Sequence, residues 1–114
     1  MNTVTIGVSD IAQAKRRMAA AFRGERQGAF LTFASVDLLW RTMTPHRWGI
    51  VQAMAGQNAM SLRAVARAVG RDVKSVHGDV HALLDAGVLE KTAEGRLIFP
   101  YDAVHVDFTI TKAA

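Results

Sequence analysis

The stretch "SLRAVARAVGRDVKSVHGDVHALLDAGVLE", residues 61–90, contains two short helical patterns separated by a corner. Apolar residues recur at helical spacing, but the pattern is interrupted at Gly70, Arg71 and Asp72 and then resumes with a new phase. Ser61 and Asp72 belong to the residue types that cap helix N-termini, and Gly70 to the type that ends a helix in a left-handed conformation. The stretch therefore predicts two helices that meet at a large angle.

The second of these helices, after Asp72, has two distinct faces. By helical periodicity its apolar side comprises Val73, Val76, Val80, Leu83, Leu84 and Gly87. Its opposite side comprises Lys74, Ser75, Gly78, His81, Ala82 and Asp85. A capped helix, a tight glycine-containing turn and a second helix with a slim polar face are typical of a helix-turn-helix, whose second helix enters the major groove of DNA.

The segments on either side predict a mixture of strands and helices. Alternating apolar residues predict strands at Thr3–Val8, Ala29–Phe33 and 103–111, and "GVLEK" and "RLIFP" around "TAEG" predict a β-hairpin. Helices are predicted from Ser9 or Asp10 to Gly24, from Ser35 through Trp40, and from Pro45 to about residue 55. We expect the two terminal strands to pair, within a sheet or across a dimer, because neither is stable alone.

The composition places the chain among ordinary globular proteins. Its 114 residues are 50% hydrophobic and 21% charged, which fits one domain with one core. The absence of cysteine excludes disulfides, thiol chemistry and cysteine zinc sites, and no apolar run approaches membrane-spanning length. We therefore expect a cytoplasmic protein that does not enter membranes. The formal net charge of +4, with its excess of cations in residues 1–48, suits a polyanionic partner.

The segment "VARAVGRDVKSVHGDVHALLDAGVLEKTAEGRLIF" resembles the winged helix-turn-helix of small prokaryotic regulators, the ArsR-like and MarR-like groups. The segment matches the pattern of these groups without a gap. That pattern is a helix, a glycine turn, a second helix ending in Leu-x-x-x-Gly before two hydrophobic residues, and a hairpin. The resemblance covers about residues 45–99. With its lead-in "FASVDLLWRTMTPHRW" and its ending "FPYDAVHVDF", the chain also resembles a group of predicted DNA-binding proteins, some of which accompany toxin genes as antitoxin-like regulators.

The resemblance implies a set of DNA-contacting residues. It places Arg63 and Arg67 near the phosphate backbone, Arg71 at the corner, and Glu94, Gly95 and Arg96 at the tip of the hairpin, the wing. On or beside the groove-reading surface it places Val73, Lys74, Ser75, His77, Gly78 and His81.

Three positions in the second helix depart from the pattern of these families. Gly78 stands where a recognition helix often offers arginine, and it permits close approach either of DNA or of a neighbouring element. Asp79 and Asp85 would be repelled by phosphate unless they are directed to cytosine amino groups or kept off the groove.

Other features of the sequence favour ordinary structural roles. His77, His81 and Asp85 have a spacing that metal ligands use, but the order differs from His-Glu-x-x-His, so the general base of a metalloprotease is missing. The trio also lacks a fixed fourth ligand and any cysteine, so we expect no metal; we expect no other cofactor either. The basic run Lys15 to Arg17 has two interpretations, a contact with flanking DNA and a solvated helix face. We expect the aromatic side chains to be core residues rather than a base-stacking platform; they are Phe22, Phe30, Phe33, Trp40 and Trp48.

These patterns together predict an α+β protein with a winged helix-turn-helix domain at residues 45–100. Residues 1–44 would form a strand-helix-strand extension, a candidate dimerisation unit, and residues 101–114 a C-terminal strand. No phosphate-binding loop or catalytic constellation is evident, so we expect no enzyme. The predicted function is a homodimeric transcriptional regulator, a repressor or antitoxin, that binds double-stranded DNA. The alternative is a protein-interaction module that neutralises a partner toxin without needing DNA.

Overall fold

The strands at the two ends of the chain lie side by side in one sheet. A computed structural model describes residues 2–8, 11–24 and 29–110. Its elements, in chain order, are β1 (Thr3–Val8), α1 (Ile11–Phe22), β2 (Ala29–Phe33), α2 (Val36–Thr42), α3 (Pro45–Met54), α4 (Leu62–Val69), α5 (Val73–Asp85), β3 (Glu90–Lys91), β4 (Leu97–Ile98) and β5 (Ala103–Asp107). The predicted α+β class is confirmed. The proposed caps Ser9 and Asp10 lie outside the described residues.

The larger sheet is parallel and has the strand order β2-β1-β5. In it Ile6 of β1 lies between Leu31 of β2 and Val106 of β5. The predicted pairing of the terminal strands is therefore confirmed, within one chain. Strand β5 ends at Asp107, before the predicted end, and residue 111 lies outside the described part of the chain.

The smaller sheet is the antiparallel hairpin of β3 and β4, in which Lys91 pairs with Leu97. Met60, which precedes α4, extends this sheet by exchanging two backbone hydrogen bonds with Leu97. The hairpin is therefore attached to the start of α4 as well as to the end of α5.

One hydrophobic core joins the parallel sheet to the helices. Strand β1 contributes Val4 and Ile6, both fully buried, because one face of the strand packs inward. The largest fully buried side chains of the helices and the hairpin are Leu39, Met43, Ile50, Met54, Leu83, Leu89 and Phe99. The core crosses the predicted boundary at residues 44 and 45, so the two segments stabilise each other.

The corner between α4 and α5 has the predicted caps. The Ser61 hydroxyl accepts a hydrogen bond from the Ala64 N–H (3.1 Å), and Gly70 ends α4 in the left-handed region with φ of 68°. The Asp72 carboxylate then accepts from the Ser75 N–H (3.0 Å) and starts α5. Each device satisfies backbone groups that a helix terminus leaves unpaired.

Several aromatic side chains that the sequence assigned to the core lie at the surface instead. Phe22 is 85% exposed, Trp40 57% and Phe30 43%, so the core prediction is wrong for these three; Phe33 is buried and Trp48 half-buried. Helical geometry explains the exposure of Trp40 and Phe22. On α2 it is Leu39 that faces the core, and on α1 it is Ala20. A residue one or two positions further along is then rotated out of the buried face.

No helix within the described ranges is both long and apolar enough to cross a membrane.

Gly7 permits the close pairing of β1 with β5. A Cβ atom at this position would lie well inside contact distance of the backbone carbonyl oxygen of Asp107. We predict that Gly7→Ala lowers the free energy of unfolding by about 1–3 kcal/mol, because the two strands must separate. Gly49→Ala is the matched control, since its Cβ would meet nothing within 4 Å and alanine favours the α3 helix by up to about 1 kcal/mol. Urea unfolding measures both; a Gly7→Ala protein as stable as the control would contradict the account.

Candidate nucleic-acid interface

Helix α5 buries one side and presents the other to solvent. Val76, Val80 and Leu83 are buried against α3 and α4, as the apolar pattern predicts. The exposed side carries Lys74, Ser75, Gly78, His81 and Asp85. Val73, at the first turn, is 40% exposed, so its assignment to the apolar side of α5 is wrong, whereas its place on the groove-reading surface stays a prediction.

Two residues predicted for the groove-reading surface behave differently at the start of α5. The Ser75 hydroxyl and the Ser75 N–H both donate to the Asp72 carboxylate, at 3.0 Å each. These two hydrogen bonds lower the pKa of Asp72, the backbone bond being the larger cause. Ser75 is thus committed to the helix cap, whereas Lys74 lies exposed beside it.

Asp79 joins three parts of the molecule through its carboxylate. Its Oδ1 accepts from Nε of Arg47 on α3 (3.0 Å), and its Oδ2 accepts from Nη2 of Arg71 at the corner (2.8 Å). Nη1 of Arg47 donates in turn to the carbonyl of Thr42, the last residue of α2 (2.9 Å). We call this group of Asp79, Arg47 and Arg71 the Asp79 bridge.

The Asp79 bridge keeps the carboxylate ionised in a partly buried position. Burial raises the pKa of Asp79, but the hydrogen bonds and positive charges of Arg47 and Arg71 outweigh it, so the pKa is lowered. The Asp79 side chain is only 16% exposed. The Asp79 carboxylate is therefore directed to Arg47 and Arg71 rather than to solvent.

Arg71 is oriented inward by the same bridge. Its side chain is 21% exposed, and its Nη1 is buried without a hydrogen-bond partner among the residues that the structure describes. Contact of Arg71 with DNA remains a prediction, and the position of its guanidinium gives it a second role in fixing the corner.

Gly78 lies on the exposed side of α5 with open space around it. A Cβ atom built there would meet no atom of another described element within 4 Å. Close packing against a neighbouring element, one of the two interpretations of this glycine, is therefore wrong. The other interpretation, close approach of a nucleic acid to the helix backbone, is compatible with the geometry.

A cleft of about 200 Å³ separates α5 from the hairpin. The imidazoles of His77 and His81 lie on its α5 side, with ring centroids 4.3 Å apart, and Lys91 and Gly95 line the hairpin side. Within the described residues, no three potential ligands from histidine, aspartate and glutamate form a group that could hold a metal ion. Both histidines are exposed, so their imidazoles are accessible at the edge of this surface.

The remaining predicted cations lie on α4 and on the hairpin. Arg63 and Arg67 are exposed on α4, and Arg96 is exposed at the hairpin turn. Gly95 has φ of 81°, and the Arg96 N–H donates to the Thr92 hydroxyl (3.1 Å), so the turn is defined locally. Arginines on α4, polar groups on α5 and an arginine on the hairpin thus occupy three neighbouring elements.

Arg47 is the residue of the candidate site that the sequence did not reveal. It is 32 positions from Asp79, and nothing in the local pattern links the two. The sequence contains one signal for a partner of this kind, because Asp79 directly precedes the buried Val80. An aspartate at the margin of a buried face requires a cationic partner.

The sequence pattern of the HVO_A0114 family matches residues 42–106, more than half of the chain. The chain belongs to this family, and the matched segment contains the Asp79 bridge, α4, α5, the hairpin and most of β5. No curated protein and no solved structure matches the chain.

We predict that Asp79→Asn lowers the free energy of unfolding at neutral pH by about 1.5–3 kcal/mol, because two guanidinium groups lose their ionised acceptor. The control is Asp85→Asn, an exposed aspartate on the same helix, with an expected change within about 0.5 kcal/mol. Urea unfolding of the three proteins tests the comparison, and equal destabilisation of both variants would contradict it.

The difference between the wild type and Asp79→Asn should depend on pH. Since the pKa of Asp79 is lower in the folded than in the unfolded chain, the ionised carboxylate contributes its full stabilisation above the ordinary value of 3.8. That contribution should be lost as the pH falls below this value towards the lowered pKa. A stability difference that stays constant from pH 7 to pH 2 would exclude the ionised bridge as its cause.

Proposed function

We propose that α3, α4, α5 and the hairpin form a winged helix-turn-helix unit, and that the protein is a transcriptional regulator that binds double-stranded DNA. The observation that carries this proposal is the exposed side of α5. It presents Lys74, Gly78 and His81, while the Asp79 bridge neutralises the carboxylate next to Gly78; Asp85, one turn after His81, stays exposed. A slim helix face with its central carboxylate neutralised suits the major groove.

The cations divide into two groups by position. Arg63 and Arg67 on α4 and Arg96 on the hairpin flank α5, where they suit contacts to phosphate oxygens. Lys74 and His81 lie on α5 itself, where they suit hydrogen bonds to base edges. The first group would supply affinity for any duplex, and the second would supply sequence preference.

Helix α5 lacks bulk at its centre, which supports a close approach of DNA. Glycine costs about 1 kcal/mol relative to alanine in a helix interior, and no neighbouring element of the described structure requires it at position 78. A glycine that the fold does not need is explained if a nucleic acid packs against the backbone there.

Gly78→Ala should therefore stabilise the protein while weakening its binding to duplex DNA. We expect about 0.5–1 kcal/mol of added stability from helix propensity and roughly tenfold weaker binding from the methyl group at the interface. Gly49→Ala, on α3, gains the same propensity and should leave DNA binding unchanged. Thermal unfolding and fluorescence anisotropy with labelled duplexes measure the two effects. A Gly78→Ala protein that binds as tightly as Gly49→Ala would remove the argument from the glycine.

The two groups of cations should respond differently to salt. Arg63→Ala or Arg96→Ala should weaken binding to all duplexes alike and reduce the slope of log affinity against log salt by about 1 for each phosphate that is no longer neutralised. Lys74→Ala should instead cost about 1–3 kcal/mol on a preferred site and less on random DNA. Preferred sites are obtained by selecting bound genomic fragments. Indistinguishable salt slopes and sequence preferences for all three variants would contradict the division.

A second candidate function is neutralisation of a protein partner, for which the exposed apolar side chains of α1 provide the favouring observation. Met18 is 62% exposed and Phe22 85% exposed, on one helix outside the HVO_A0114 segment. Exposed clusters of this kind are typical of protein contacts. If the protein shows no salt-dependent duplex binding while a co-encoded protein binds it tightly, this function replaces the DNA-binding proposal.

A further inference from the structure

Strand β5 is an edge strand whose free side has hydrogen-bonding groups available. It pairs only with β1 in the described sheet, and no proline or lysine occurs between residues 103 and 110 to block a further strand. The Ala103 N–H donates to the carbonyl of Asn2, next to β1. Because alternate residues of a strand direct their backbone groups to the same edge, Val104 and Val106 direct theirs away from β1.

We propose that this edge pairs antiparallel with β5 of a second copy, with the two-fold axis at Val106. The sequence "VHVDF", residues 104–108, is self-complementary about that position. In this register His105 lies opposite Asp107 of the second copy, and Asp107 lies opposite its His105. The imidazole N–H groups donate to the carboxylates across the new ladder, and opposite partners of this kind stabilise a strand pair.

The other face of the same strand is apolar and incompletely covered. Val106 is 42% exposed although its neighbour Ile6 on β1 is fully buried. The rings of Phe108 and Trp40 make a T-shaped contact, with centroids 5.7 Å apart, and Trp40 is itself 57% exposed. In the proposed register Val106 packs against Val106 of the second copy, and Val104 lies opposite Phe108 of the second copy. Polar pairs on one face and apolar pairs on the other select a single register, because a one-residue slip would exchange the faces.

This inference goes beyond the proposed function and does not depend on DNA. The chain contains no cysteine, so a single introduced thiol reports on the register. Hydrogen-bonded antiparallel partners have Cα atoms about 5.5 Å apart, within the disulfide range. Val106→Cys should therefore form a disulfide-linked dimer under mild oxidation. Val104→Cys is the control, because its two thiols would lie about 13 Å apart along the ladder.

A second pair of variants tests the polar partners at positions 105 and 107, which are exposed, so the substitutions should change folding stability little. His105→Glu places two carboxylates opposite each other, and Asp107→Lys removes the acceptor for His105. Each variant alone should self-associate roughly tenfold more weakly than the wild type. An equimolar mixture should restore association as a heterodimer, because the introduced glutamate of one chain then faces the introduced lysine of the other. Sedimentation analysis without DNA measures all four samples.

The expected results are a wild-type dimer, cross-linking at position 106 but not at 104, and recovery in the mixture. A wild type that remains monomeric at about 100 µM, far above a typical dimer dissociation constant, would overturn the proposal. A dimer that cross-links equally at positions 104 and 106 would also overturn it. The same holds for a dimer that persists unchanged in both charge variants, since its interface would then involve β2 or α1. Because DNA is absent, none of these outcomes bears on the DNA-binding proposal.

Discussion

The Asp79 carboxylate is the interaction on which the orientation of α5 depends. It accepts hydrogen bonds from Arg47 on α3 and Arg71 at the corner, and Arg47 also holds the carbonyl end of α2. Caps at Ser61 and Asp72 determine where the helices begin, but they do not determine how α5 is rotated. The bridge at one margin of α5 and the buried valines beside it together set which residues face solvent.

The exposed side of α5, proposed to bind DNA, and the free edge of β5, proposed to form the dimer, belong to elements that pack on a single core. Val4 and Ile6 of β1 belong to the same hydrophobic cluster as Val76 and Val80 of α5. The parallel sheet that contains β5 and the helix proposed to read DNA therefore share one hydrophobic core. A two-fold axis at β5 would set the separation of two α5 helices, which is the property that a palindromic DNA site requires.

The local elements and the pairing of the two terminal strands were predictable from sequence, whereas the other long-range contacts were not. The residue types of Gly70 and Asp72 predict a helix end and a helix start, so the corner could be placed directly. The strands and the hairpin could be placed from their alternating apolar residues. The parallel order of the larger sheet and the Asp79 bridge join residues far apart in the chain, and no local pattern encodes them. Trp40 was misplaced because an aromatic side chain predicts burial only when the orientation of its helix is known. The exposed side of α5 was predicted, but the commitment of Ser75 to a cap and of Arg71 to Asp79 required the structure.

The most direct test of the central claim is a titration of the isotopically labelled protein with duplex DNA, followed by backbone amide NMR. The account predicts salt-sensitive chemical-shift changes concentrated at residues 73–81, with smaller changes on α4 and at 91–97, and little change at Val4 or Ile6. Absence of any change at low salt, or changes confined to α1 and the parallel sheet, would contradict the assignment of α5 as the DNA-binding helix.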